Sequence, residues 1–296
     1  MELRVLRYFL TVAREGNITA AANFLHLTQP PLSRQIKDLE KELGKQLLIR
    51  KSHNVSLTPE GMLLRKRAEE ILAMVDKTEA EFTSIENTVS GDIYVGGGET
   101  QAIRDIAEII KDLRDDYPGI HFHLYSGNAE DVTERLDKGL LDFGILIQPA
   151  DLSKYNYINL PGKDIWGVIM PKDCPLAAKK VIEKKDLLHL PLIFSRQAMS
   201  PHPSGNEFAD WFGEDFDKLD VVTTFNLVYN ASILVEAGVG YAVTLDNLAD
   251  TSEDSRLCFR PLSPRLESGL NIIWKKYQVF SPAAELFLKE VQKRFS

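Results

Sequence analysis

The sequence predicts a mixed fold: an all-α winged helix-turn-helix head, one long linker helix, and an α/β body in two lobes. Three observations carry that prediction. Residues 28–41 combine helix-opening prolines, an apolar stripe and, opposite it, a basic face. Residues 64–89 repeat mostly apolar residues at alternating spacings of 4 and 3. From residue 91 onward, β-prone runs alternate with amphipathic helical ones. A chain of 296 residues has room for two or three domains, and 44% hydrophobic residues supply a real core.

The net charge of −8 argues against nucleic acid, but its distribution argues the other way. Residues 1–67 carry 12 Lys/Arg against 6 Asp/Glu, and the remainder carries 23 against 37. A basic head on an acidic body is the pattern of a chain in which the head alone meets DNA. Cys174 and Cys258 stand in no metal or redox spacing and read as buried, unpaired thiols. Met1-Glu2-Leu3-Arg4 begins an amphipathic helix rather than the apolar run of a signal peptide. No stretch approaches the roughly 20 apolar residues of a membrane span. The expectation is a soluble, cytoplasmic protein without membrane contact.

In the head, Leu3, Leu6, Leu10 and Ala13, with Phe9 and Val12 beside them, mark a first helix that stops near Gly16. Asn17 suits the N-cap of a second helix over Ile18 to Leu25, whose alanines allow close helix–helix approach. Thr28 suits the N-cap of a third, with Pro30 and Pro31 in the first turn, where a fixed φ helps and a missing N–H costs little. Leu32, Ile36, Leu39 and Leu43 then draw one apolar stripe. Pro30, Arg34, Lys37 and Lys41 lie opposite, with Ser33 on the flank. Two short helices joined by a tight turn, the second basic on its outer face, describe a helix-turn-helix. Leu47–Arg50 and Val55–Leu57 read as a small hairpin, or wing, with Arg50 and Lys51 within reach of a phosphate backbone. The competing reading is a three-helix interaction module with a solvated charged face.

Thr58 and Pro59 again read as N-cap and first helical residue, with Glu60 near the positive dipole end. Leu64, Ala68, Ile71, Val75, Thr78, Phe82, Ile85 and Val89 follow at heptad spacing, broken by the polar Thr78. A helix of about 30 residues would be roughly 45 Å long. So narrow a stripe is predicted to pair with a second copy, with Leu64, Ala68, Ile71, Val75, Phe82 and Ile85 as dimerisation residues. Packing along a domain surface is the alternative.

Ser90-Gly91-Asp92 ends the helical pattern. A strand at Ile93–Val95, a turn at Gly96-Gly97-Gly98, a helix through Ile103 to Tyr117, a strand at Ile120–Tyr125, a helix through Val132 and Leu136 and a strand at Phe143–Ile147 predict a parallel sheet. The pattern restarts after a loop rich in Tyr and Asn. Strands are expected at 165–170, 192–194, 221–225, 241–244, 257–262 and 270–274, helices near 206–212 and 231–237, and a closing helix from Pro282. In open α/β sheets a ligand lies beyond the carboxyl ends of the strands, beside helix N-termini. That rule selects Thr100, Gln101, Asn128, Gln148, Ser195, Arg196 and Tyr229 as effector-binding residues. Arg196 could clamp a carboxylate bidentately, so the expected effector is small and anionic, although Glu99 places a negative charge on the same rim.

Three runs in the head carry a family likeness. Ala20-Ala21-Ala22-Asn23-Phe24-Leu25, Thr28-Gln29-Pro30-Pro31-Leu32-Ser33-Arg34-Gln35-Ile36 and Leu39-Glu40-Lys41-Glu42-Leu43-Gly44 closely resemble the DNA-binding signature of LysR-type transcriptional regulators. Leu47-Leu48-Ile49-Arg50 and Leu57-Thr58-Pro59-Glu60-Gly61 extend the resemblance through the wing. Lys51-Ser52-His53-Asn54 departs from it, standing where many members carry further arginines. The resemblance implies a DNA-binding domain over residues 1–58, a linker and dimerisation helix over 59–89, and a periplasmic-binding-protein-like effector domain over 90–296. Lobe I would take about 90–161 and 267–296, and lobe II about 162–266. Gln29, Pro30, Ser33 and Arg34 would lie nearest the base edges, with Thr28 at the helix start; Arg34 suits guanine and Gln29 adenine. Lys37, Lys41 and Arg50 would mostly meet phosphates. Further implications are a dyad-symmetric double-stranded DNA site, self-association to a dimer or a homotetramer, and contact with RNA polymerase.

Other chemistry finds no support in the residues. Gly96-Gly97-Gly98-Glu99-Thr100-Gln101 lacks the third glycine of a dinucleotide fingerprint and the lysine of a P-loop. His121 and His123 share a strand face without a third ligand nearby, so no metal is expected. No nucleophile–base–acid set stands out; no catalytic residue and no cofactor are expected. The reading is a sequence-specific DNA-binding transcriptional regulator modulated by a small effector. An architectural DNA-binding protein without small-molecule input and a solute-binding receptor are the alternatives.

Overall fold

The computed structural model describes residues 1–50, 54–83, 89–199 and 207–295. The chain forms two compact units, Met1–Phe82 and Thr83–Ser296.

The first unit contains α1 (Leu3–Glu15), α2 (Ile18–Phe24), α3 (Gln29–Leu43), β1 (Leu48–Arg50), β2 (Val55–Leu57) and α4 (Pro59–Thr83). Gly16 ends α1 in the left-handed region at φ 59°, where a Cβ would be strained. The Asn17 side chain then accepts the N–H groups of Thr19 and Ala20 at 2.8 and 3.0 Å, which starts α2. Ala21 and Ala22 are buried and let α2 close onto Phe9, Val12, Leu32 and Ile36. β1 and β2 pair antiparallel, with Leu48 opposite Leu57 and Arg50 opposite Val55.

Thr28 differs from expectation. It occupies the N-cap position in extended backbone, but its hydroxyl makes no capping bond. An N-cap oxygen accepts from the second and third helical N–H groups, and those positions are Pro30 and Pro31, which have none.

The Thr58 cap does form: Gly61 donates to its Oγ1 at 2.9 Å, and Thr58 in turn donates to the Gln46 carbonyl at 2.7 Å. α4 spans 25 residues, about 37 Å at the standard helical rise. Its first turns do not form a free seam. Leu64 and Ala68 pack with Leu72 against Leu6 and Leu10 of the same chain, and Ala68 is fully buried there. Ile71 remains exposed and Val75 half-buried. The expected Ile85 lies outside the described residues. Val89 is not helical and packs instead on the core of the body, where the sheet offers it more apolar contact than a helix end would.

The second unit contains β3 (Gly91–Gly97), α5 (Ile103–Asp116), β4 (Ile120–Ser126), α6 (Ala129–Asp137), β5 (Phe143–Ile147), β6 (Tyr155–Pro171), β7 (Ile182–Glu183), α7 (Lys184–Leu187), β8 (Leu192–Ser195), α8 (Arg196–Met199), α9 (Glu207–Phe212), β9 (Val221–Phe225), α10 (Val228–Glu236), β10 (Tyr241–Leu245), β11 (Leu257–Ser263), β12 (Glu267–Lys275) and α11 (Pro282–Phe295). β4, β3 and β5 are parallel, as expected, but β12 pairs antiparallel with β5 and β6 antiparallel with β12, so the sheet is mixed. The second half of β6 leaves for the other lobe. There it pairs antiparallel with β10 and β11, while β8 joins β10 and β9 parallel to one another.

The supposed loop rich in Tyr and Asn is therefore the first half of β6. Its asparagines suggested a loop because they are poor strand formers in isolation. In place, Tyr155 to Leu160 pair with Lys275 to Leu270, and the Asn159 side-chain Oδ1 accepts from Asn271 Nδ2 at 2.6 Å. The predicted turn at Gly96-Gly97-Gly98 is also corrected, since Gly96 and Gly97 belong to β3. A Cβ on Gly96 would lie 2.4 Å from the Leu141 side chain, so this glycine serves close packing.

Ile93, Ile106, Phe143, Ile272 and Phe287 centre one lobe's core; Val168, Leu192, Phe194, Phe212 and Val243 centre the other's. Among the described residues no helix is long and apolar enough to cross a membrane. Cys174 is half-buried, Cys258 buried, and both are free thiols.

Candidate functional site

The first candidate is the outer face of α3. Leu32, Ile36 and Leu39 are at most 2% exposed, whereas Gln29, Pro30, Arg34, Lys37 and Lys41 all face solvent. Thr28 is exposed at the helix start with its hydroxyl uncommitted to the cap, and Ser33 is half-buried on the flank. Arg34 reaches Asp38 one turn on at 3.9 Å, with 84% of its side chain still in solvent. Such an exposed pair contributes little and leaves the guanidinium available. This face presents two prolines, a carboxamide and three cations along one groove-sized helix.

The wing is tied to α3 by one residue that motif reading alone did not single out. Glu40 Oε1 accepts the Leu47 and Leu48 N–H groups at 2.9 and 3.1 Å. Its Oε2 accepts from Arg50 at 3.3 Å, and Arg50 also donates to Ser33 Oγ at 3.4 Å. Arg50 is thus held against α3 beside Ser33 rather than turned away from it. Lys51, the other expected wing cation, lies outside the described residues.

The second candidate is a cavity between the lobes of the body. Ile147, Trp166, Phe208, Phe225, Leu245 and Leu248 form an apolar wall. Asn128, Gln148, Ser195, Gln197, Asn226 and Thr244 add polar groups. About 70 Å³ is open to the centre of a water molecule. Hydrogen bonds between the lobes close its rim. Gln101 Nε2 donates to the Asn247 carbonyl at 2.7 Å, and Gln197 Nε2 to the Ile147 carbonyl at 3.3 Å. The Val228 N–H donates to Glu99 Oε2 at 2.5 Å.

Of the expected effector residues, Asn128, Gln148 and Ser195 line the cavity. Asn128 also caps α6 by accepting the Asp131 N–H at 2.9 Å, and Gln148 is hydrogen-bonded to Asn271 and to the Ala150 N–H. The other four are elsewhere. Thr100 is buried and donates to Asp164 Oδ2 at 2.5 Å, and Gln101 is spent on Asn247. Tyr229 is 70% exposed. Arg196 lines a neighbouring polar pocket with Glu130, Asp131, Glu134 and Asp137, so it does not supply the expected clamp on the cavity wall. Burial pushes the Asp164 carboxyl above its ordinary range; the Thr100 hydrogen bond opposes this and Asp246 adds to it.

Trp166, Phe208, Leu245 and Leu248 had no distinguishing signal in the sequence, because a wall residue and a core residue share the same apolar pattern. Glu99 was legible as a rim charge, but its partner across the lobes was not. His123 bonds Asp92 at 2.9 Å and stacks on Tyr94, and among the described residues no three His, Cys, Asp or Glu side chains gather where they could share a metal ion.

Two family models match the chain. "Bacterial regulatory helix-turn-helix protein, lysR family" covers residues 3–62, and "LysR substrate binding domain" covers residues 86–296. The Hca operon transcriptional activator HcaR of Escherichia coli (strain K12) is 29% identical over 100% of this chain and 99% of its own length. The uncharacterised HTH-type transcriptional regulator YvbU of Bacillus subtilis (strain 168) is 26% identical over 100% and 99%. Among solved structures, that of CbnR, a LysR family transcriptional regulator, superposes with a TM-score of 0.78 at 21% identity and full coverage of both chains. Full-length CbnR complexed with its target DNA gives 0.75 at 21% identity and 99% coverage of each.

Proposed function

The chain belongs to the LysR-type transcriptional regulators, and from that premise we propose that it reads a specific dyad-symmetric DNA site through α3 and answers to a small effector held between its lobes. One observation carries the reading: α3 buries Leu32, Ile36 and Leu39 while turning Gln29, Pro30, Arg34, Lys37 and Lys41 outward. Gln29, Pro30, Ser33 and Arg34 read base edges in the major groove. Thr28, Lys37, Lys41 and Arg50 hold phosphates, which position the helix without specifying sequence. That CbnR has been solved with its target DNA supports this use of the shared fold.

Residues 1–58 form the DNA-binding domain, 59–89 the linker and 90–296 the effector domain. Self-association runs through α4, with Ile71, Val75, Phe82 and Ile85 as the seam, since Leu64 and Ala68 are occupied by α1 of the same chain. Two copies present two recognition helices to two half-sites, and two dimers form the homotetramer. The protein works in the cytoplasm beside RNA polymerase, as a regulator and not as a catalyst.

The effector occupies the cavity and contacts Asn128, Gln148 and Ser195. It changes the balance between lobe arrangements, and a coupling of about 1–3 kcal/mol to DNA binding suffices for a switch. An anionic effector loses its main support with Arg196 off the cavity wall. Footprinting on the DNA flanking the protein's own gene, with and without metabolites of neighbouring pathways, tests the whole reading. A protected dyad whose pattern changes with one metabolite is the expected result. Protection without sequence preference would return the architectural alternative.

A further inference from the structure

Glu99 is the one ionisable side chain on the cavity wall among the described residues. It projects from the loop that follows β3 in one lobe and reaches α10 in the other. Its Oε2 accepts the Val228 N–H at 2.5 Å. α10 is a nine-residue helix whose N-cap, Leu227, supplies no side-chain acceptor. The start of a helix concentrates unpaired N–H groups and positive potential, and is the natural seat for a ligand's carboxylate. Here the chain's own carboxylate holds that seat.

We infer that Glu99 sets the charge selectivity of the cavity, which takes a small, largely apolar molecule with a cationic or hydrogen-bond-donating head and turns carboxylates away. The inference rests on the cavity being the effector site. A ligand carboxylate entering the cavity would face the negative charge of Glu99 with no cation among the described lining residues to offset it, and would find the α10 N-terminus already occupied. A primary amine meets the opposite situation: its N–H groups point at a carboxylate, and Ile147, Phe225 and Leu248 take up its apolar part. Asn128 and Ser195 remain to orient a second polar group.

The test is isothermal titration of the full chain with three ring compounds of like shape: cyclohexylmethylamine, cyclohexylmethanol and cyclohexanecarboxylate. Each is titrated into the wild type, Glu99→Gln and the cavity-filling Ala198→Phe. The wild type is expected to bind the amine at least about tenfold more tightly than the carboxylate, a difference of about 1.4 kcal/mol. Glu99→Gln keeps an acceptor for the Val228 N–H, so the lobes stay joined while the charge is gone. In that variant the amine-to-carboxylate ratio should collapse toward one. Equal affinities in the wild type, or a ratio unchanged by Glu99→Gln, overturn the charge selection alone. Binding of none of the three, or binding that Ala198→Phe leaves untouched, removes the cavity as a ligand site and the inference with it.

Discussion

Glu40 and Arg50 meet at 3.3 Å across the junction of α3 and the wing, while the other oxygen of the same carboxylate accepts the N–H groups of Leu47 and Leu48. One side chain therefore satisfies two backbone donors and orients a cation. Glu40→Ala leaves both donors without this acceptor in a partly buried place, at a cost of about 1–3 kcal/mol to local stability. Glu40→Gln keeps one acceptor oxygen and loses less. Amide hydrogen exchange at Leu47 and Leu48 measures both, and unchanged protection in the alanine variant would deny the tie.

Arg34→Ala should weaken binding to the specific DNA site by about 1–3 kcal/mol and relax preference at one base pair. Lys37→Ala should weaken specific and random DNA alike and lower the salt dependence by about one ion. Competition gel shifts at two salt concentrations separate the two behaviours. Equal losses on specific and random DNA for Arg34→Ala would assign it to the phosphates.

Gly61 lies in the first turn of α4, where an added Cβ would stand 2.2 Å from the Leu47 carbonyl oxygen. That nearest neighbour is backbone of the wing junction and cannot swing aside. Gly61→Ala should cost about 1–3 kcal/mol as an overpacking substitution. A thermal melt of the variant equal to that of wild type would show that the junction yields.

Val75 is half-buried in a single copy of the chain, beyond the part of α4 that α1 covers. Val75→Asp should lower the oligomer measured by light scattering and abolish joint protection of two half-sites. A wild-type mass together with a wild-type footprint would place the seam elsewhere.

The pH dependence of the body should carry the signature of Asp164. Burial raises its carboxyl pKa in the folded state, so the folded chain holds this proton more tightly than the unfolded one. Its contribution to stability is fully present below the unfolded value near about 4 and is lost as pH rises through the higher folded value. Asp164→Asn, which still offers Thr100 an acceptor, should therefore stabilise the body at neutral pH, by an increment that shrinks on acidification. Melting curves across that range give the sign, and an increment that grows on acidification would reverse it.

The head was legible in the sequence because its signals are local. Asn17 caps within three residues, and Leu32, Ile36 and Leu39 mark a face by spacing alone. Thr28 shows the limit: its chemistry predicts a cap, but the neighbouring prolines remove the donors. The body was legible as alternating strands and helices, and the rule of strand carboxyl ends led to Asn128, Gln148 and Ser195. The same rule also selected Thr100, Gln101, Arg196 and Tyr229, whose side chains turn to Asp164, to Asn247, to a neighbouring pocket and to solvent.

By itself the sequence determined the family, the helix-turn-helix and most of the order of the elements, since caps, apolar periods and a charge-bearing face act over a few residues. Only the tertiary structure decided that the Tyr/Asn segment is strand, that Ala68 is covered by α1 and that Glu99 reaches Val228. Each of those rests on a partner distant in the chain. A side chain's use is set by what the fold brings against it, and spacing along the sequence does not record that.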